Sequence, residues 1–574
     1  MQCFTIAVSG SADSATNAVV ISRLIADGKA LRGGNLTMNG RWISFWDRTL
    51  SHPGTREPAS ISFGAHRAVM MFDRLGNCGY LNISGPGGAL WKDECGSRGG
   101  PMALDLPSRA RQSGVAFPLW LAAFAALAAM VHPWTGPYRT GLWLLGFLSM
   151  VHLLFWATQP IGLLHDSLKQ IPTFRTNMMG TPAYFPPGYP ILIGVANLFW
   201  PALTGAAVTM LQHGMMIAAV WWCYRMLERS AGTTASFAAA LAAGGAAPTL
   251  ILPQGILSEN VALFGMAGAL YFASKYRRAA HLRDGVISGA MLGWAVLARI
   301  VPLAGGLPAI ITVVSYGASA ATAVRKSVTI LTALLITIAA PVLWFGARSG
   351  DFALSNAAGL HLYNRVIADQ GLMDPNAQAA SRLLALISAA GVIGVPHWEI
   401  QATLEKRGLS QPRAEALMRQ AALEGIRRSP WKYIAYSFHQ AREQYFLNPD
   451  TFMPYAANPF EYPDELETPP LLGVSADTLM WRQQLEDAFT IAWRYIPWLG
   501  LAGIPLIPLL DECEIFLGLA LVPAGYVVAT AFVEYLLSRY NAAIVPFIVM
   551  LAGGAVAGLC RAAAAGYRST QRAG

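Results

Sequence analysis

The passage His165-Asp166-Ser167-Leu168-Lys169 places one carboxylate just past the end of an apolar stretch. It is followed by Thr181-Pro182-Ala183-Tyr184-Phe185-Pro186-Pro187-Gly188-Tyr189-Pro190. A carboxylate at that depth stays ionised, while partial desolvation and fixed neighbours tune its pKa. Asp166 could take a proton from an acceptor hydroxyl or amine, or hold a divalent cation. The bland alternative is an interfacial Asp that solvates a helix end, and the residue alone does not separate the two. The proline cluster is more specific. Its prolines fix φ and remove donors, Gly188 permits a turn, and Tyr184 and Tyr189 offer ring faces.

Further charges stand at the ends of other apolar runs. Glu259, in Leu257-Ser258-Glu259-Asn260, falls in the first turn of a helix, where a carboxylate either caps the positive dipole end or faces a site. Arg299, in Ala298-Arg299-Ile300-Val301-Pro302, and Arg539, in Ser538-Arg539-Tyr540, are costly in hydrocarbon unless paired or snorkelling. Either guanidinium could hold a phosphate bidentately, or pair with a carboxylate such as Glu534 or with lipid headgroups. His361 and Tyr363, in Gly-Leu-His-Leu-Tyr-Asn-Arg, are candidate sugar or phosphate contacts, though a structural role is the default for both. Tyr445, Phe452, Tyr455 and Tyr462 could close over a sugar or simply lie at the interface.

The elements that must position these residues are apolar. The chain has 574 residues, 54% of them hydrophobic and only 13% charged, against about 25% charged in soluble domains. This is a membrane protein by composition. Its net charge of +9 sits in loops between apolar segments, so it reads as loop charge rather than a nucleic-acid face. The six cysteines form no CxxC and no ligand cluster, which argues against a disulfide framework or a zinc site. The start lacks the basic and apolar regions of a signal peptide.

Candidate spans are 115–132, 141–159, 204–227, 235–252, 255–274, 284–299, 302–318, 327–346, 491–509, 513–533 and 543–560. Ile191–Trp200 is too short to cross comfortably and reads as a helix lying at the interface. Residues 1–101 differ from the rest: no helical or strand period persists there. They read as an atypical extension, disordered or preceding a true start at Met102. Residues 102–346 form an N-terminal transmembrane module, 347–490 an extramembrane helical and loop segment, and 491–574 the last spans with a basic tail. No internal repeat is visible, which counts against a transporter built from two related halves.

Orientation follows from Lys and Arg. Arg225 and Arg229; Lys275, Arg277, Arg278 and Arg283; Arg325 and Lys326; and Arg561, Arg568 and Arg572 fall on one side if spans alternate from 204 onward. That side is cytoplasmic, so Asp166 and 347–490 face outward. Arg109 and Arg111 conflict with strict alternation through the first two spans.

The order of these features resembles the GT-C superfamily of polytopic glycosyltransferases, in particular its family 39-like members, which include protein mannosyltransferases and lipid A aminoarabinose transferases. Asp166 and Pro186-Pro187-Gly188-Tyr189-Pro190 stand where those enzymes carry a loop acid and a Pro-Pro motif. Glu259 resembles their second acidic position, and Ala298–Pro302 their arginine–proline signature. Ile426-Arg427-Arg428-Ser429-Pro430-Trp431 resembles an amphipathic helix ending in proline. Glu534–Tyr540 running into Pro546 resembles an Arg-Tyr motif before the final span. The likeness covers roughly residues 140–560; each motif is weak, and five in order are strong. Many members have an acidic pair in the first loop, whereas Asp166 is followed by Ser167.

The resemblance implies an all-α polytopic membrane protein, a bundle of about 10–12 transmembrane helices with juxtamembrane helices and a moderate external segment. It implies an inverting glycosyltransferase in a multi-pass membrane location, the bacterial inner membrane. Sugar would pass from a polyprenyl-phosphate donor to a lipid, glycan or protein acceptor, with no nucleic acid involved. Asp166 and Glu259 would be catalytic and would hold any divalent cation, Mg or Mn. Arg299, Arg539, Tyr189, His361 and Tyr363 would bind substrate. The alternatives are a transporter or flippase, or a glycan ligase or polymerase of similar architecture.

Overall fold

The computed structural model describes residues 136–159, 161–162, 170–388, 400–447, 476–533 and 538–573, together with the backbone of eleven strands between Gln2 and Leu106. Asp166, Phe452, Tyr455, Tyr462, Glu534, Arg109, Arg111 and the span expected at 115–132 lie outside them, as does the side chain of Arg539.

Eleven strands are described between Gln2 and Leu106, where no strand period is expected from the sequence. A five-stranded sheet has the order β10 (Gly88–Glu94), β9 (Tyr80–Gly85), β1 (Gln2–Ser9), β7 (Ala59–Ala65), β4 (Thr37–Asn39). A second follows β11 (Pro101–Leu106), β8 (Ala68–Leu75), β2 (Ala18–Ala26), β6 (Thr49–Pro53), β5 (Ile43–Phe45), with β3 (Lys29–Ala30) paired to β2. All pairings are antiparallel. In β1, Phe4, Ile6 and Val8 alternate with Thr5, Ala7 and Ser9, and the paired strands repeat the period of two with Ile61 and Phe63 in β7 and Leu81 and Ile83 in β9. Met102 lies within β11, paired with Phe72.

From Gly136 onward the described chain is helical. In order, the helices are α1 (Gly136–Thr158), α2 (Gln170–Met178), α3 (Gly188–Phe199), α4 (Thr204–Ala231), α5 (Thr233–Gly244), α6 (Ala247–Ile251), α7 (Glu259–Ala279), α8 (Leu282–Ala298), α9 (Pro302–Ser315) and α10 (Ala320–Ser349). There follow α11 (Ala358–Tyr363), a π-helical turn at Asn364–Asp369, α12 (Gln378–Ser388), α13 (Ile400–Lys406), α14 (Gln411–Arg428) and α15 (Pro430–Phe446). The chain closes with α16 (Ala476–Trp493), α17 (Ile496–Gly503), α18 (Cys513–Val533), α19 (Ser538–Ala542) and α20 (Val545–Ala573).

The protein is a multi-pass integral membrane protein. Among the described residues four helices are long and apolar enough to cross a membrane, or five if the pair α5 and α6, bent by 58°, is one span. The larger number expected from hydropathy includes shorter segments such as α8 and α9, which pack within the bundle. Small residues let these helices close up. A Cβ on Gly305 of α9 would stand 2.3 Å from the Val522 carbonyl oxygen of α18, so only glycine permits that crossing.

The bundle has two chemically different ends. At one, Arg277 pairs with Glu514, Arg278 with Glu512 at 3.0 Å and Arg561 with Asp511 at 3.1 Å, while Lys326 Nζ donates to the Arg277 carbonyl. α7 starts at the other end with Glu259, and α8 returns there with Arg299. α1 runs antiparallel to α4: Gly141 faces Trp221, while His152 meets His213 at 2.8 Å. Since Arg229 sits by Arg278, α1 also finishes at the Glu259 end. α3 stays there too. Gly188 packs on Leu297 and Ala298, and Asn197 meets Thr204 at 3.1 Å. Twelve residues span about 18 Å as a helix, too little for about 30 Å of hydrocarbon.

Candidate functional site

α7 begins at Glu259 because the chain before it is broken: Pro248 opens α6, Pro253 sits in a single 3-10 turn, and Gly255 is extended. Non-helical backbone at membrane depth must find partners inside the protein. Gln212 supplies them from the middle of α4. Its Nε2 donates to the carbonyls of Pro253 at 2.9 Å and Gly255 at 2.7 Å, and its Oε1 accepts from Tyr189 Oη at 2.7 Å. Asn260 Nδ2 donates to the Gln212 carbonyl at 2.9 Å. Gln254 Nε2 donates to the Gln159 carbonyl at 2.7 Å, and Gly162 joins Gly255 in a short parallel bridge. The broken segment is therefore clamped to α1, α3 and α4 immediately before Glu259.

Glu259 is 1% exposed, and its Oε1 accepts from Arg299 Nη1 at 2.8 Å. Arg299 follows α8 in an extended conformation, φ −155°, which carries its side chain off the helix end. Its guanidinium carbon lies 4.3 Å from the centre of the Tyr540 ring. A carboxylate at an edge and an aromatic face hold the fork in one orientation.

This pair faces a cavity of about 390 Å³ lined also by Gln170, Tyr184, Ser258, Ser355 and His361. The proline loop forms part of the wall through Tyr184, Phe185 and Pro186. Asn356 fixes that loop, with its backbone N donating to the Ala183 carbonyl and its Nδ2 to the Pro182 carbonyl, each at 2.8 Å. A Cβ on Gly188 would fall 2.7 Å from the Leu297 carbonyl carbon, so the Pro-Pro-Gly sequence lets the loop lie directly on the end of α8 beside Arg299. Tyr184 packs on Phe185 at 4.7 Å and on His361 at 5.9 Å.

The structure brings Glu259, Arg299 and His361 together. Asp166 lies outside the described residues, but the residues flanking 163–169 are at this end: Gly162 is bonded to the broken segment and Gln170 lines the cavity. Tyr189 does not line the cavity. It is 1% exposed and donates its hydroxyl to Gln212, a contact that positions the broken segment. Tyr363 packs against the cluster formed by α11 to α15, where burial raises its phenol pKa. Tyr445 lies against α17, with its hydroxyl 3.4 Å from where a Gly500 Cβ would be. Gln170, Ser355 and the Gln212 clamp were not anticipated.

The described donors do not make a divalent-cation site by themselves. Glu259 is committed to Arg299, and among the described residues no three His, Cys, Asp or Glu side chains gather.

No family model and no curated protein sequence matches the chain. Solved structures do. ArnT from Cupriavidus metallidurans bound to undecaprenyl phosphate is 13% identical, with TM-score 0.30, over 72% of this chain and 77% of that one. The oligosaccharyltransferase AglB from Archaeoglobus fulgidus, with an inhibitory peptide and a dolichol-phosphate, is 14% identical with TM-score 0.37, over 72% of this chain and 50% of that one. The arabinosyltransferase EmbB from Mycobacterium smegmatis is 12% identical with TM-score 0.27, over 95% and 61% respectively. The chain is similar to these three proteins at low identity.

Proposed function

We propose that this protein is a membrane glycosyltransferase that takes a sugar from a polyprenyl-phosphate donor at the extracytoplasmic face. The observation that carries the reading is the Glu259–Arg299 pair set in a cavity at one membrane end, beneath a stiff aromatic loop. The ArnT and AglB structures contain undecaprenyl phosphate and a dolichol-phosphate, the kind of ligand this reading assigns to the cavity. Positive-inside counting puts the opposite end in the cytoplasm.

In this reading the acceptor nucleophile attacks the anomeric carbon with inversion, and the carrier phosphate leaves with the bonding pair. Negative charge grows on that phosphate in the transition state. A guanidinium already aimed by Glu259 and Tyr540 stabilises it without reorganising. Asp166 takes the acceptor proton. Glu259 positions Arg299, and His361 contacts sugar or phosphate. Arg539, one residue before Tyr540, is a second phosphate ligand. A divalent cation would need Asp166 and phosphate oxygens beside Glu259; loss of transfer on chelation, restored by Mg or Mn, tests it.

The experiment is Asp166→Asn in the purified full chain, assayed with polyprenyl-phosphate sugars. Transfer should fall by at least about 10²-fold, as for loss of a general base, with folding and carrier binding kept. Unchanged transfer sinks the assignment. Substrate movement across a vesicle without any transfer would favour a flippase instead.

A further inference from the structure

A second groove lies away from the cavity, between α15 and the junction of α16 with α17. It encloses about 470 Å³, with Arg442 and Phe446 on one wall and Arg494 and Trp498 on the other. Its depth in the membrane follows from the packing of α15. Tyr433, Ser437, Gln440, Ala441 and Gln444 are its buried residues, one stripe at helical spacing. Tyr433 bonds the Phe532 carbonyl at the end of α18, and Gln444 Nε2 donates to Asn541 Oδ1 at 2.7 Å, just before α20. α15 therefore lies across the ends of two bundle helices, at the level where hydrocarbon gives way to water.

α17 descends from that level along α20. Gly500 faces Ile548 and Gly503 faces Ala555, while Trp498, Leu499, Leu501 and Ile504 are turned outward and exposed. The Phe446 and Trp498 rings meet at 4.5 Å, so the groove has an aromatic floor that runs onto a lipid-facing surface. Its charge is positive. Arg442 and Arg494 are exposed and outnumber the one carboxylate, Glu443, which lies 3.1 Å from His439 Nε2.

We propose that this groove binds an anionic phospholipid of the leaflet at the cavity end. Arg442 and Arg494 take the phosphate, and Phe446 and Trp498 cover the glycerol and upper acyl chain. A soluble anion would use the arginines but leave the aromatic floor unmatched, and a zwitterionic lipid brings its own cation against them. The groove shares no residue with the cavity, so the proposal stands apart from the glycosyltransferase reading.

The test uses the full chain, stripped of lipid in detergent, with thermal unfolding and native mass spectrometry as readouts. Phosphatidylglycerol should raise Tm and leave one retained adduct, whereas phosphatidylcholine and inorganic phosphate should do neither. Arg442→Gln with Arg494→Gln should weaken phosphatidylglycerol binding by at least about tenfold, or 1.4 kcal/mol. If that double variant does not fold, Arg494→Glu alone provides the same comparison. Equal stabilisation by phosphatidylcholine, full effect from inorganic phosphate, or unchanged binding in the variants overturns the proposal.

Discussion

Arg299 and Glu259 are each unaffordable alone in the place they occupy. Glu259 is 1% exposed and the Arg299 side chain 12%, and removing one partner of a buried pair costs about 3–5 kcal/mol because the other charge is stranded. Arg299→Gln should therefore lower Tm sharply. Adding Glu259→Gln should restore much of it without restoring transfer, because the stranded charge is gone while the phosphate ligand remains missing. A double variant no more stable than Arg299→Gln would show that the pair does not act as a unit. A second residue acts through the helix that carries His361. Glu415 Oε2 accepts from the Gly359 N–H at 2.6 Å, at the start of α11. Burial lifts the Glu415 carboxyl to about 7, against the N–H groups of Gly359 and Leu360, which pull it down. Its folded pKa exceeds its unfolded one, so its contribution to stability is full below the unfolded value and lost as pH rises through about 7. Between about pH 5 and 8 the wild-type Tm should fall more than that of Glu415→Gln, which stays neutral and keeps an acceptor for Gly359. Parallel Tm curves would remove Glu415 from this role.

The broken element from α5 to the start of α7 is where the site's geometry is decided. Gln212 holds two carbonyls of that break and the Tyr189 hydroxyl. Gln212→Leu leaves three buried polar groups without their partner, each worth about 1–3 kcal/mol. Gln212→Glu offers acceptors where two carbonyls need donors, so it should fare no better. Transfer should fall in kcat while carrier binding through Arg299 persists; loss of both in equal measure would mark a merely structural residue. The charges at the ends of apolar runs were legible in the sequence, since Glu259 and Arg299 had little reason to be there without a partner or a site. The break was not legible. Residues 235–252 and 255–274 read as two plain spans, because hydropathy does not register which carbonyls lose their helical partners. Tyr189 shows a related limit: a tyrosine beside three prolines offers a ring and a hydroxyl, and only the position of Gln212 in space shows where the hydroxyl goes. The strands before Leu106 are hard to read because the alternation in β1, β7 and β9 is local and is not sustained along the residues between them.

At the scale of the whole molecule, orientation decides whether the cavity meets a lipid-linked donor outside the cell or substrates inside it. The end carrying Lys275, Arg277, Arg278, Arg325, Lys326 and Arg561 is rich in both signs once the chain is folded, since Asp284, Asp511, Glu512 and Glu514 pair with several of these cations. The positive-inside rule counts Lys and Arg in short loops, not net charge, so these acids do not weaken it. The segment after α10 is also basic, with Arg427, Arg428, Lys432 and Arg442, but a long segment translocates largely regardless of its charge. In the proposed reading the short-loop count therefore sets the basic-loop end in the cytoplasm and the cavity outside, and the charge of the long segment does not count against it. With all six cysteines replaced, Lys432→Cys should react with a membrane-impermeant thiol reagent on intact cells. Arg283→Cys, exposed in the first turn of α8, should react only after permeabilisation. The reverse pattern would turn the molecule over and end the case for an extracytoplasmic donor. Labelling of both from one side would break the alternation of helices on which the two ends were distinguished.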